Sequence, residues 1–286
     1  MSAKFRVGLI GEGITESLTP AMHMREAAQR GIAYEYHVFD LAPASVEASD
    51  LGAYLRDLRD AGYAAVNVTH PFKQRIMPCL DSLSEAAATI DAVNLVLIGE
   101  QFAGDNTDWS GFEWAIATGL PGAAFGLVAQ VGAGGAGSAT AYALLRHGAE
   151  DVAVLDVDVA SARRVADRYT PLFPRQRIRA EPVDALPDVL AHADGVVHAT
   201  PVGMAKHPGT AFDVGLLAPH AWLAEIVYRP IETELVHAAR ARGHHVLDGS
   251  RMAVGQAVDS FRLITGVEPD AERMGAHMLE LIASSS

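Results

Sequence analysis

Of the 22 basic residues in this chain only three are lysines, Lys4, Lys73 and Lys206. Where arginine replaces lysine so widely, a retained lysine raises the question whether its place needs an amine that can release a proton, which a guanidinium cannot do. Lys73 closes the run Asn67-Val68-Thr69-His70-Pro71-Phe72-Lys73, and a second polar run is Gly104-Asp105-Asn106-Thr107-Asp108-Trp109-Ser110-Gly111. A lysine oriented by a carboxylate can exchange the proton of an alcohol while hydride leaves the adjacent carbon, so Lys73 and Asp108 are candidates for acid–base work. The plainer role for Lys73 is a surface ion pair. A third polar run, Thr15-Glu16-Ser17-Leu18-Thr19-Pro20, offers the hydroxyls of Ser17 and Thr19 to a hydroxylated or carboxylated ligand. Thr19 before Pro20 also suits the N-cap of a helix.

A different chemistry is written in Gly132-Ala133-Gly134-Gly135-Ala136-Gly137, a G-x-G-x-x-G loop between an apolar strand and an alanine-rich helix. Such a loop turns tightly and lets a pyrophosphate approach the free N–H groups of the helix N-terminus. The next strand ends in Asp156-Val157-Asp158, about 20 residues on, where a carboxylate accepts from the adenosine ribose hydroxyls and repels a 2′-phosphate. NAD is therefore preferred to NADP. Arg163 and Arg164 could hold a 2′-phosphate, but within the next helix they suit the adenine face or a surface carboxylate. The plainer alternative is that the glycines only permit close packing and the aspartates cap a helix.

Strands are predicted over 5–10, 34–39, 64–68, 127–131, 152–155, 195–199 and 223–228, with a hairpin around Gly99-Glu100. Helices are predicted from Thr19 to Gly31, over 50–60, from Trp109, from the glycine loop to His147, on to about Tyr169, and over 252–264 and 269–282. Strand alternating with helix is the signature of parallel α/β structure. Leu120-Pro121-Gly122 breaks the series, which gives an expectation of two α/β domains. The first takes residues 1–110 with 252–286 returning to it, and the second takes 111–251. The polar runs fall at predicted strand ends, where open α/β sheets bind ligands.

Composition limits the alternatives. The chain has 286 residues, half hydrophobic, and a formal charge of −13, which argues against nucleic acid or anionic membrane as a partner. The single cysteine, Cys79, cannot form an internal disulfide and is expected to be a small buried residue, which suits a cytoplasmic protein. No apolar run reaches the ~18 residues of a membrane span. No metal site is expected, because the histidines lack ligand spacing and His23 is read as a packed or capping residue.

Together these runs resemble the shikimate dehydrogenase family over nearly the whole chain. Ser17-Leu18-Thr19-Pro20 is similar to its S-x-S-P, Asn67 to Lys73 to N-V-T-x-P-F-K, and Ala92-Val93-Asn94-Leu95 to A-x-N-T. Gly104 to Gly111 matches G-x-N-T-D-x-x-G, and His198-Ala199-Thr200-Pro201-Val202-Gly203-Met204 is similar to N-A-T-x-V/I-G-M. Tyr228-Arg229-Pro230 and the stretch from Gly249 to Gln256 resemble Y-x-P and G-x-x-M-x-x-x-Q. The resemblance implies a substrate domain and a Rossmann-like dinucleotide domain, with Lys73 and Asp108 as the catalytic pair. It implies a cyclic hydroxy acid held by Ser17, Thr19, Asn67, Thr69, Asn94, Asp108, Tyr228 and Gln256. Gly132 to Gly137, Asp156, Asp158, Arg163, Thr200, Pro201, Gly203, Met204, Val227, Gly249 and Met252 would serve the cofactor. The implied reaction is reversible oxidation of shikimate to its 3-keto acid in a monomer or homodimer. Thr19, Leu95 and His198 depart from the biosynthetic pattern, and Asp156-Val157-Asp158 stands where NADP-using members resemble N-R-T. These departures point to the NAD-linked branch that also handles quinate. Two alternatives remain: a dehydrogenase of an amino-modified cyclohexane acid, and a non-catalytic NAD(H) redox sensor. The intact Lys73 and Asp108 weigh against the sensor.

Overall fold

The structure, a computed structural model, describes residues 4–42 and 48–284. These divide into two compact units: one takes the residues up to Thr107 together with those from Val254 onward, the other Asp108–Ala253.

The first unit opens with β1 (Lys4–Gly11), α1 (Thr19–Gln29), β2 (Ala33–Asp40), α2 (Ala48–Asp60) and β3 (Ala65–Val68). It continues through β4 (Ser82–Leu83), α3 (Glu85–Ile90), β5 (Leu95–Ile98) and β6 (Phe102–Asp105). The sheet runs β2-β1-β3-β5-β6-β4, with β1 parallel to β2 and β3 and the β5–β6 hairpin antiparallel. β1 is central, so Val7, Leu9 and Ile10 are all buried and no polar alternation is visible in its sequence. Thr19 does not cap α1. Buried Leu18 already has helical backbone angles and occupies the cap position, so Thr19 becomes the first helical residue and no side chain caps the end.

The second unit holds α4 (Asp108–Gly119), β7 (Leu127–Val131), α5 (Gly135–His147), β8 (Asp151–Asp156), α6 (Val159–Tyr169) and β9 (Arg177–Pro182). It ends with α7 (Leu186–His192), β10 (Gly195–His198), β11 (Trp222–Glu225), α8 (Glu234–Ala241) and β12 (Val246–Leu247). Its sheet is parallel in the order β12-β11-β10-β7-β8-β9, the doubly wound dinucleotide-binding order, which reverses between β7 and β10. The strand expected to reach Tyr228 stops at Glu225. Its carboxylate accepts the Val227 N–H at 2.9 Å, and β12 pairs only with Leu223 and Ala224, so the chain leaves the sheet before Tyr228.

The chain ends in α9 (Gly249–Thr265) and α10 (Ala271–Ala283). α10 starts after Pro269 because the Asp270 carboxylate takes the Arg273 N–H at 2.9 Å and so caps the helix. Glu26 of α1 is fully buried and receives Arg273, Arg30 and the Asp270 N–H, which fastens α10 to α1. Cys79 is half-buried rather than fully enclosed, and burial raises its thiol pKa. Among the described residues no helix is long and apolar enough to cross a membrane, and no cluster of three His, Cys, Asp or Glu side chains could hold a metal.

Candidate active site and dinucleotide site

In the first unit the strand order 2-1-3 puts a switch point at the ends of β1 and β3. The Thr69 N–H bonds the Ile10 carbonyl at 2.9 Å, and the Glu12 N–H bonds the His70 carbonyl at 3.1 Å. Asp40, at the end of β2, takes the N–H groups of Gly13 and Ile14, shaping the loop that carries half-buried Ser17 and Thr19. Past the cis His70–Pro71 bond, the Lys73 carbonyl accepts from the Val93 N–H at 2.9 Å. Asn94 is the next residue. Its N–H donates to the Asp105 carbonyl at 3.0 Å, and its Oδ1 accepts the Thr107 N–H at 2.7 Å. Thr107 Oγ1 in turn donates to the Gln256 carbonyl at 3.1 Å. Lys73, Asn94, Thr107 and Gln256 are thus tied by consecutive bonds, and buried Asp108 follows Thr107 directly at the start of α4.

Asn67 has a more structural setting than its motif suggests. It is buried, with its Oδ1 accepting from the Tyr36 hydroxyl at 2.8 Å and its Nδ2 donating to Ser260 Oγ at 3.0 Å and the Asn94 carbonyl at 3.3 Å. Ser260 and Tyr36 escaped the sequence reading because nothing local links them to Asn67; Ser260 lies 193 residues away. Lys4 is a surface group paired with Glu35 at 2.6 Å.

In the second unit the glycine loop follows β7 at the sheet's switch point. Gly132 has φ +112°, and a Cβ there would lie 2.5 Å from the Ala199 carbonyl oxygen; one at Gly137 would lie 2.3 Å from the Gly132 oxygen. Only glycine fits both contacts. Gly134 and Gly135 are exposed with open space around them, leaving the N-terminus of α5 accessible to an anion. Buried Gln130 clamps the loop: its Nε2 donates to the Gly132 and Gly137 carbonyls at 3.0 and 2.7 Å, and its Oε1 accepts from Thr140 at 2.9 Å. Its only signal in the sequence was one polar residue inside an apolar strand.

The two aspartates differ in setting. Asp156 accepts the Ala133 N–H at 2.7 Å and the Asp158 N–H at 2.8 Å, so it braces the glycine loop. Asp158 caps α6 through the Ala160 N–H and receives the Ser161 hydroxyl at 2.6 Å, with Arg164 at 3.5 Å. The Ser161 hydrogen bond foremost holds the Asp158 carboxyl below its usual pKa, so the group is an anion. Arg163 is exposed. Ala199 and Thr200 meet Gly132 across the switch point, Gly203 turns with φ +97°, and Met204 is exposed. Val227 touches Gly249 through its carbonyl, and Met252 is buried in the first turn of α9. Tyr228 is half-buried, three residues past the end of β11.

The sequence profile of the shikimate dehydrogenase substrate binding domain matches residues 9–96. The shikimate dehydrogenase (NADP(+)) of Pseudarthrobacter chlorophenolicus is 49% identical over 281 residues, 98% of this chain and 96% of that protein. The chain belongs to the shikimate dehydrogenase family. The quinate/shikimate dehydrogenase (NAD(+)) of Corynebacterium efficiens is 47% identical over 277 residues, 96% of this chain and 98% of that protein. Quinate dehydrogenase from Corynebacterium glutamicum in complex with NAD matches with a TM-score of 0.90 at 46% identity, covering 97% of this chain and 99% of that one. This member of the family is therefore a nicotinamide-dinucleotide-dependent dehydrogenase. Neither alternative, a dehydrogenase of an amino-modified cyclohexane acid or a non-catalytic NAD(H) sensor, is favoured by these relatives. One of the family departures has a plain packing role: Leu95 is wholly buried beside Val7 and Leu9 where a threonine is usual.

Proposed function

We propose that this protein is an NAD-linked dehydrogenase that oxidises the ring hydroxyl of shikimate, and of quinate, to the corresponding 3-keto acid, and reduces the keto acids in reverse. The observation that carries the choice of NAD is the anionic Asp158, two residues past the end of β8. Asp156 is half-buried against the backbone of the glycine loop, whereas the Asp158 side chain is 58% exposed beside its Ala160 and Ser161 partners, so Asp158 is the carboxylate open to the adenosine ribose hydroxyls, and it would repel a 2′-phosphate. The name of the solved relative, a quinate dehydrogenase in complex with NAD, supports the same reading, whereas other relatives are named for NADP(+).

Bound NAD supplies the hydride acceptor. Lys73, as the free amine, takes the hydroxyl proton while hydride leaves the ring carbon, and as the ammonium it returns that proton in reduction. Asp108 orients the lysine. Ser17, Thr19, Thr69, Asn94, Tyr228 and Gln256 hold the hydroxyls and carboxylate of the ring acid, and Asn67 supports them from behind. Residues 1–110 with 252–286 form the substrate domain, and 111–251 the NAD domain. The lone Cys79 fits a cytoplasmic enzyme. The test is a steady-state matrix of shikimate and quinate against NAD and NADP. A kcat/KM at least tenfold higher with NAD, on either acid, is expected; preference for NADP, or no turnover of either acid, contradicts the proposal.

A further inference from the structure

β10 and β11 run side by side with His198 opposite Glu225. Both side chains are buried, His198 at 1% and Glu225 at 2% exposure, and the edge of Phe212 packs against the imidazole. His198 Nδ1 lies 2.9 Å from each Glu225 oxygen, and its Nε2 lies 2.5 Å from Thr200 Oγ1. The carboxylate also accepts the Val227 N–H at 2.9 Å and the Thr233 hydroxyl at 3.3 Å, while Thr200 Oγ1 accepts the Val202 N–H at 3.2 Å.

Hydrogen-bond polarity follows from these partners. An ionised carboxylate only accepts, so the imidazole hydrogen resides on Nδ1, and in the neutral ring Nε2 is an acceptor. With the ring neutral, the Thr200 proton points inward to Nε2. One Oγ1 lone pair takes Val202, which leaves the other for a further donor on a half-buried residue whose methyl group lies beside Gly132 of the dinucleotide loop.

We propose that His198 and Glu225 are positioning residues that fix Thr200 as a hydrogen-bond acceptor for the nicotinamide-bearing half of the dinucleotide. The donor it receives is a carboxamide N–H or a hydroxyl of the attached ribose. This rests on the reading of Thr200 as a cofactor-side residue.

Calorimetric titration at mildly alkaline pH with NAD, its 3-acetylpyridine analogue, ADP-ribose and ADP tests it. Thr200→Val should weaken NAD about tenfold and leave ADP within twofold, while Thr200→Ser retains wild-type affinity. Glu225→Gln should reproduce the NAD-selective loss, because its amide can donate to Nδ1, move the ring hydrogen to Nε2 and turn the Thr200 proton outward. A Thr200→Val loss confined to NAD assigns the carboxamide, which the acetylpyridine analogue lacks; a loss shared with that analogue and ADP-ribose assigns the ribose. NAD affinity unchanged in Thr200→Val, or a parallel loss for NAD and ADP, overturns the proposal. Should Glu225→Gln fail to fold, His198→Leu, which removes both ring nitrogens, must show the same NAD-selective loss, and wild-type affinity in it is equally fatal. Wild-type protein that binds neither ADP nor NAD overturns the dinucleotide reading and this proposal with it.

Discussion

Asp158 does two jobs whose separation is measurable. As the cap of α6 it satisfies the Ala160 N–H, and as an exposed anion it is the group proposed to repel a 2′-phosphate. Asp158→Ser keeps a capping oxygen and removes the charge. It should raise kcat/KM with NADP at least tenfold relative to NAD and leave the thermal midpoint nearly unchanged; an unaltered NADP to NAD ratio would show that the charge does not select the cofactor. The sequence made Asp158 visible as an acid at the right distance from a glycine loop, but it could not separate its role from that of Asp156. That separation depends on which carboxylate reaches back to the Ala133 N–H, a tertiary contact. Asn67 teaches the same lesson. Its motif marked the site, yet its amide bonds to Tyr36 and Ser260, partners that only folding reveals.

The elements that hold the glycine loop were legible where a single stretch of chain carried the signal. A strand, a loop and a helix in order predicted β7 and α5 because their apolar runs and glycines are contiguous. β9 was missed because Arg177–Pro182 is an edge strand of mixed charge, and β4 and β12 because two residues carry no period. Gln130 was passed over because its purpose lies in the two carbonyls it clamps. Gln130→Leu leaves the Gly132 and Gly137 carbonyls and the Thr140 hydroxyl without that partner in a buried place, at a cost of about 1–3 kcal/mol. Chemical denaturation should show a destabilisation of that size, with NAD affinity falling alongside; wild-type stability would mean the loop holds its shape without the clamp.

On the scale of the whole molecule, acid should unfold this protein from a buried imidazole before its carboxylates titrate. His23 is fully enclosed among Tyr34, Tyr36 and Phe261, its Nδ1 2.9 Å from the Tyr34 hydroxyl, and burial pushes its pKa down to about 3, with the backbone of Ala257 offsetting part of that. The unfolded chain binds a proton there from about pH 6.5 downward and the folded chain does not, so stability is complete above that value. It declines by about 1.4 kcal/mol per pH unit below it. Burial alone would raise the pKa of Glu26, but Arg273, Arg30 and the Asp270 N–H together hold it low, so its contribution is lost only at more acid pH. His23→Phe should flatten the fall in denaturation midpoint between pH 6.5 and the carboxylate range; an unchanged slope would place the acid sensitivity elsewhere.

The central claim is that this dehydrogenase moves a proton through Lys73, the one lysine of three that stands in a run proposed to be catalytic. Lys73→Arg keeps the positive charge but holds its proton at any accessible pH, so it cannot act as the neutral base. The most direct measurement is the rate of NAD reduction by Lys73→Arg at saturating shikimate, with ring-acid binding followed by calorimetry on the same protein. The account predicts binding within a few fold of wild type and a rate lower by about 100-fold or more. A variant that binds shikimate and turns over at the wild-type rate would contradict it.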